Sequence, residues 1–288
     1  SAILFLIILI RELFLGGTQT LGALFSDAML STNKWLYWPA LPWTAVVAGA
    51  AILGYQLQGI RLALLAGIGV GYLCVFGQWE PSLETLSFVL VCAPICFILG
   101  LGFGIWGYLN RTVEAALEPL LNCMQTLPHF SYLVPVMVLF GVGDHAGAVA
   151  TIIFATPPMI RLTILGLRKI SPDIVDSGLM SGCSKFQLLF RVLIPTARTD
   201  ILIGVNQVIM QCLAMTTIAA FIGARGLGFN LKVALNSLEI GKASEIGLCV
   251  VLIAVILDKY SLAWANKQKD YFANLTFIMG ESFKKGIS

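Results

Sequence analysis

The sequence has few charged residues, and this scarcity limits the class of protein it can encode. Only 11% of its 288 residues are charged, whereas 58% are hydrophobic, and soluble domains carry about 25% charged residues. The net charge of +3 is small and the basic residues are dispersed, so we expect no nucleic-acid partner. The composition therefore indicates an integral membrane protein.

Motifs for catalysis and cofactor binding are also missing from the sequence. It contains no G-x-x-x-x-G-K-[ST] phosphate-binding loop, no helical zinc motif and no G-x-S-x-G nucleophile turn. Seven cysteines are scattered, and six of them lie in apolar runs, where thiols usually serve as small packing residues. We expect no metal, no cofactor and no enzymatic activity of the chain itself.

Long apolar runs make up most of the chain. A membrane-spanning helix needs about 20 apolar residues, and we predict spans at about 43–57, 60–77, 84–108, 119–141, 147–168, 200–222 and 244–266. We divide the chain into a partial span with an interfacial aromatic segment (1–42), an accessory hairpin (43–82), a core helical domain (83–266) and a C-terminal tail (267–288). The chain starts inside an apolar run, so we expect a trimmed fragment of a longer protein.

One stretch near the middle, DIVDSGLMSGCSKFQLLFRVLIP (173–195), differs from this pattern because it is amphipathic. Ser171 and Pro172 form a helix start, Gly182 breaks the run, and Ser184 with Gln187 has the spacing of a capping box. Pro195 is expected to end a second helix. If this stretch is cytoplasmic, most loop lysines and arginines lie on its side, as the positive-inside rule requires.

The residue types alone permit a cytoplasmic loop that folds back on the bundle. The spacing of this stretch resembles the EAA loop of importer-type ABC transporter permeases. The pattern consists of an acid with two small residues (176–178), a glycine at 182, aliphatic residues at 192 and 194, and a proline at 195. Asp176, Ser177 and Gly178 stand where that family usually has Glu-Ala-Ala. The segment 120–170 and the GARGLG motif (223–228) resemble permeases of glycine betaine, proline betaine and choline importers, and the similarity runs from about Pro42 to Trp264.

The resemblance implies an all-α, polytopic membrane bundle of the type I ABC importer permease kind in the bacterial inner membrane. The loop at 171–197 would be a cytoplasmic coupling-helix hairpin, and the C-terminus would be cytoplasmic. Two ATP-binding subunits, a second permease copy in a homodimer and a periplasmic or lipid-anchored substrate-binding protein would be its partners. We assign coupling to the ATPase to a set within the loop: Asp173, Asp176, Ser177, Gly178, Gly182, Lys185, Phe186 and Pro195.

A quaternary amine carries a fixed positive charge, so its path through the membrane needs aromatic faces and polar groups. Two stretches offer them, and we predict that the path is lined by Asn122, Gln125, Thr126, Pro128, Phe130, Tyr132, Asn206, Met210 and Gln211. Pro128 and Pro135 interrupt a helix at membrane depth, which is tolerated where it borders a cavity. Asparagine and glutamine also hold transmembrane helices together, and this alternative stays open.

Two other functions compete with an ATP-driven importer for quaternary-amine osmolytes. A secondary transporter or channel would not need a capped hairpin with this spacing, and no predicted span has an acid near its centre. A membrane-embedded enzyme would need paired carboxylates, a metal cluster or a nucleophile, and the sequence suggests none.

Overall fold

The computed structural model describes residues 43–285, with side chains described for residues 46–264. The predicted segment 1–42 lies outside the described residues. All regular elements of the described part are helical: α1 (Trp43–Gln58), α2 (Ile60–Val75), α3 (Trp79–Leu109), α4 (Arg111–Thr126), α5 (His129–Phe140), α6 (Asp144–Arg168), α7 (Pro172–Met180), α8 (Lys185–Leu188), a π-helical segment (Leu189–Leu193), α9 (Ile194–Ala219), a 3₁₀ turn (Ala220–Ile222), α10 (Leu227–Asn236) and α11 (Ile240–Lys285). The predicted all-α fold is confirmed.

Four stretches are long and apolar enough to cross a membrane: Trp79–Leu109, Asp144–Arg168, Lys185–Ile222 and Ile240–Trp264. The predicted span at 119–141 is not one straight helix, because α4 and α5 are bent by 101° at the break between them. The proline at 128 has no N–H with which to continue the α4 ladder. This pair of helices forms a fifth, broken span or a re-entrant segment.

Helices α1 and α2 form the tight hairpin expected from the sequence. Gly59 turns the chain with a φ of +85°, and a Cβ on Gly54 would lie 3.0 Å from the Cα of Ala63. Each helix has 16 residues and is therefore about 24 Å long, which is shorter than the ~30 Å hydrocarbon core. Both are shorter apolar helices than the four long spans, and their place as an accessory transmembrane hairpin stays a prediction.

Helix α6 lies at the centre of the bundle and packs against α3 and α9. Cβ atoms added to Gly100 and Gly104 of α3 would lie 2.4 Å from Met159 Cγ and 2.5 Å from Thr163 Cβ. From the other side, a Cβ on Gly204 of α9 would lie 2.7 Å from Met159 Sδ. In lipid the hydrophobic effect contributes little to helix association, and close van der Waals packing contributes more. Small residues at the crossings permit that close packing.

At the end of the bundle opposite the α7–α8 hairpin, two turns are joined by hydrogen bonds. Gly143 N donates to Ile222 O at 2.8 Å, and Arg225 N donates to a carboxylate oxygen of Asp144 at 2.8 Å. Gly223 and Gly226 of the GARGLG motif have φ values of +87° and +113°, a conformation that favours glycine. The third glycine of that motif, at 228, instead lies inside α10. We call this region the far end.

Candidate functional site

The α7–α8 hairpin is capped as its sequence predicts. Ser171 Oγ accepts a hydrogen bond from Asp173 N at 3.3 Å at the start of α7. At the start of α8, Gln187 N donates to Ser184 Oγ at 3.3 Å and Ser184 N donates to Gln187 Oε1 at 3.0 Å, which completes the capping box. Gly182 joins the two helices with a φ of +78°, a conformation that favours glycine.

The second helix of the hairpin does not end at Pro195, and this prediction is wrong. The chain stays helical from Lys185 through the π-helical segment into α9, so the hairpin is continuous with a membrane span. Pro195 lies in the first turn of α9, and its missing N–H coincides with the local rearrangement from π to α geometry. Helix α8 is therefore continuous with α9 through the π-helical segment.

The hairpin is anchored on one side and exposes apolar side chains on the other. Leu188, Leu189 and Leu193 are buried in the main core of the bundle. Phe186 is 70% exposed and its ring centroid lies 4.5 Å from that of Phe190, while Met180 is 91% exposed. A cleft of about 420 Å³ between the two helices is lined by Asp173, Ile174, Ser177, Gly178, Ser181, Cys183 and Val192.

The residues that we assigned to ATPase coupling lie together on this hairpin. All but one are exposed: Asp173, Asp176, Ser177, Gly182, Lys185, Phe186 and Pro195. The exception is Gly178, which is buried because a Cβ there would lie 2.5 Å from Leu188 Cδ1. Gly178 therefore lets α7 and α8 approach, and the other residues form the outer surface.

The first half of the broken span, α4, is fastened along α6 by polar and apolar contacts. Arg168 donates to the carboxylate of Glu114, and Arg161 donates to the side-chain oxygen of Asn122. Between these bonds Leu121 packs with Ile160 and Ile164. Arg161 therefore binds α4.

The break between α4 and α5 has a specific partner for the carbonyl that Pro128 leaves free. In a continuous helix the N–H of residue 128 would bond to Met124 O, and proline has no such donor. The Tyr132 hydroxyl donates to Met124 O instead. The Tyr132 ring lies 5.8 Å from that of Phe154 at 65°, and Tyr132 is buried.

The residues predicted to line a path are not equivalent in the structure. Asn122, Gln125, Thr126, Pro128 and Phe130 are exposed on the described chain. Tyr132 is not among them, because its ring faces the interior and belongs to a buried cluster with Phe154 and Met215. The structure thus separates the exposed side of the broken span from the side that packs on α6 and α9.

On α9, the Asn206 side chain faces the last span. Its amide donates to Asp258 Oδ1 at 3.0 Å, and its oxygen accepts from the Ser261 hydroxyl. Met210 and Gln211, one turn further along, are exposed and half-buried, respectively. Asn206 therefore joins α9 to α11, which is the helix-holding alternative left open by the sequence.

Sequence reasoning predicted Phe130 as a path residue but missed Phe221 and Lys232, which lie beside it where α5 meets the end of α9. The Phe130 and Phe221 ring centroids lie 5.3 Å apart at 74°, and Lys232 Nζ lies 5.5 Å from the Phe221 centroid. Residues so distant in sequence gave no spacing signal. Among the described residues, no group of three or more histidine, cysteine or acidic side chains is arranged to hold a metal ion.

Comparison with known proteins agrees with this architecture. Residues 97–263 match the family described as binding-protein-dependent transport system inner membrane component. The chain is also similar to a solved structure of the MetNI methionine ABC transporter in inward-facing conformations, with a TM-score of 0.57 and 18% identity over 64% of this chain and 92% of that one. This likeness concerns the fold.

Curated relatives are closer in sequence. The chain is 57% identical to the trimethylamine N-oxide transport system permease protein TmoV of Pelagibacter ubique, over 96% of this chain and 39% of that protein. It is 38% identical to the glycine betaine/proline betaine permease ProW of Escherichia coli (77% of this chain, 63% of that protein) and 38% identical to the glycine betaine permease OpuAB of Bacillus subtilis (73% and 74%). The chain thus spans about two fifths of the length of TmoV. It belongs to the family of binding-protein-dependent transport system inner membrane components and is a multi-pass membrane permease of that family.

Proposed function

We propose that the chain is the permease part of an ATP-driven importer for methylated amine osmolytes. The observation that carries this proposal is the α7–α8 hairpin, which is capped at both starts, exposes Phe186 and Phe190, and continues without interruption into the α9 span. Exposed apolar side chains on a polar, rigid element favour a protein partner. A phosphate-binding loop is absent from the sequence, so ATP is bound by that partner.

In this mechanism two ATP-binding subunits move toward each other when they bind ATP, and each displaces the hairpin seated on it. The continuous helix passes the displacement to α9 and, through the Asn206–Asp258 bond, to α11. A second permease copy, identical or related, completes the path. A substrate-binding protein delivers substrate at the far end, and the positive-inside rule puts the hairpin in the cytoplasm.

We assign the path to the exposed side of the broken span. Gln125, Thr126 and Phe130 line it, with Met210 and Gln211 on α9. Asn122 and Asn206 have side-chain partners within the chain, so they hold the adjoining helices in place. The bend at Pro128 provides the irregular backbone that is tolerated where a membrane helix borders a cavity.

The substrate proposed first is trimethylamine N-oxide, followed by glycine betaine, proline betaine and choline. Support comes from the relatives' names, because the trimethylamine N-oxide permease of Pelagibacter ubique is 57% identical to this chain, whereas the two betaine permeases are each 38% identical. All these compounds carry a methylated ammonium that cannot lose its charge.

A pull-down of the tagged full-length protein from its native membrane tests the importer class. We expect an ATP-binding subunit and a substrate-binding protein to co-purify, and the complex in liposomes to accumulate trimethylamine N-oxide only with ATP and the binding protein. A protein that purifies alone and moves substrate without ATP would instead be a secondary transporter. Light scattering of the purified complex should give two permease copies.

A further inference from the structure

The aromatic and basic group at the meeting of α5, α9 and α10 has the chemistry of a small-ligand site. Phe130 and Phe221 are 53% and 52% exposed, although both rings are large and apolar. Their centroids are 5.3 Å apart in an edge-to-face arrangement at 74°. Each ring therefore keeps part of its surface available to a ligand, and the faces of such rings attract cations.

Lys232 places an ammonium group beside these rings. Its ammonium lies 5.5 Å from the Phe221 centroid and donates to the carbonyls of Ala220 and Phe221 at 3.4 and 3.5 Å. The ammonium therefore lies beside the carbonyl groups of the 3₁₀ turn that follows α9. An ammonium has three N–H donors, so two carbonyl contacts leave one donor for an acceptor oxygen.

From this geometry, and resting on the proposed function, we infer that Phe130, Phe221 and Lys232 form a transient substrate site for a dipolar methylated amine. The methylated ammonium lies against the two rings, and its oxide or carboxylate oxygen accepts from Lys232. Such a site distinguishes a dipolar amine from a simple cation, because Lys232 repels a cation that brings no oxygen. Weak, multiple contacts of this kind permit both entry and release.

The site is also well placed for transfer along the path. Phe130 begins the second half of the broken span, and Phe221 lies in the 3₁₀ turn that ends the α9 span. The same α9 helix continues from the coupling hairpin. A displacement of α9 therefore changes the separation of Phe221 from Phe130 and weakens the ligand contacts during each ATP cycle.

The test uses the complete importer in liposomes and measures ATP hydrolysed per trimethylamine N-oxide transported. We expect Lys232→Met and Phe221→Leu each to raise this ratio about three- to tenfold, the effect of losing one contact of this strength. Lys232→Arg and Phe221→Trp should keep it near the wild-type value. The matched control is Lys242→Met, since Lys242 pairs with Glu239 at 3.6 Å on the exposed surface.

The ratio of ATP hydrolysed to substrate transported distinguishes the loss of a substrate site from a defect in docking or folding. A defect in docking of the binding protein lowers stimulated ATP hydrolysis and uptake together, so the ratio stays constant; that result, or a wild-type ratio in both variants, would overturn the site. If Lys232→Met reduces the yield of protein, Phe130→Leu tests the same site with the same expected rise. A wild-type importer that moves no methylated amine would instead refute the proposed function itself.

Discussion

At the scale of single residues, Tyr132 shows how a broken membrane helix satisfies its backbone. Pro128 removes the donor that Met124 O would have in a continuous helix, and the Tyr132 hydroxyl supplies another. A buried carbonyl without a partner costs about 1–3 kcal/mol. The same side chain packs against Phe154, so it fixes both the backbone and the direction of α5.

Replacing Tyr132 by Phe should destabilise the permease by about 1–3 kcal/mol, because only the hydroxyl is lost and the ring contact with Phe154 remains. The unfolding midpoint in detergent measures the loss. Tyr55→Phe is the control, since Tyr55 is 63% exposed. An unchanged midpoint for Tyr132→Phe would mean that the Met124 carbonyl finds another donor.

Asn206 and Asp258 give a second test at the residue scale. Their bond at 3.0 Å joins α9 to α11, so we expect Asn206→Ala and Asp258→Ala to be non-additive by about 0.5–2 kcal/mol in a double-mutant cycle. The measurement is unfolding stability of the single and double variants. Additive losses would show that the pair is independent and return Asn206 to the predicted path lining.

At the scale of elements, the hairpin acts as a lever only if its two helices keep a fixed angle. Gly182 sets that angle with a φ of +78°, and a Cβ added there would meet no atom within 4 Å. The backbone conformation, and not the available space, therefore restricts which residues fit at position 182. Proline cannot adopt a positive φ, because its ring fixes φ near −65°.

Gly182→Pro should abolish coupling, measured as ATP-driven uptake relative to ATP hydrolysis, or prevent assembly with the ATPase. Asn, which tolerates the left-handed region, serves as the matched substitution, and Gly182→Asn should retain most uptake. Coupled uptake by Gly182→Pro at the wild-type level would refute the lever.

At the scale of the whole molecule, α6 holds the bundle together through close crossings with α3 and α9. Gly104 lies where a Cβ would be 2.5 Å from Thr163 Cβ and 3.1 Å from Ile160 O, whereas a Cβ on Gly102, half a turn away, would meet no atom within 4 Å. The two glycines thus have the same helix propensity and different surroundings.

Gly104→Ala should destabilise the bundle by about 1–3 kcal/mol through overpacking, seen as a lower unfolding midpoint and a smaller yield of folded permease. Gly102→Ala should be neutral or slightly stabilising, because alanine has the higher helix propensity. Equal effects at both positions would contradict the close α3–α6 crossing.

The sequence by itself determined the features that depend on neighbouring residues: the helical class, the caps at Ser171 and Ser184, the turn at Gly182 and the break at Pro128. Their hydrogen bonds join residues two to four positions apart, or depend on one residue's backbone, so local spacing is sufficient. The EAA-like spacing indicated the permease family, and the match to the family of binding-protein-dependent transport system inner membrane components confirmed it.

Only the tertiary structure decided which face each of these elements presents. It turned Tyr132 inward, bound Arg161 to Asn122 and Asn206 to Asp258, and placed Lys232 beside Phe221. It also carried helix α8 into α9 past Pro195, which local rules had made a helix end. Most of these contacts join different helices, so helix packing settles them and the short-range pattern of the sequence does not.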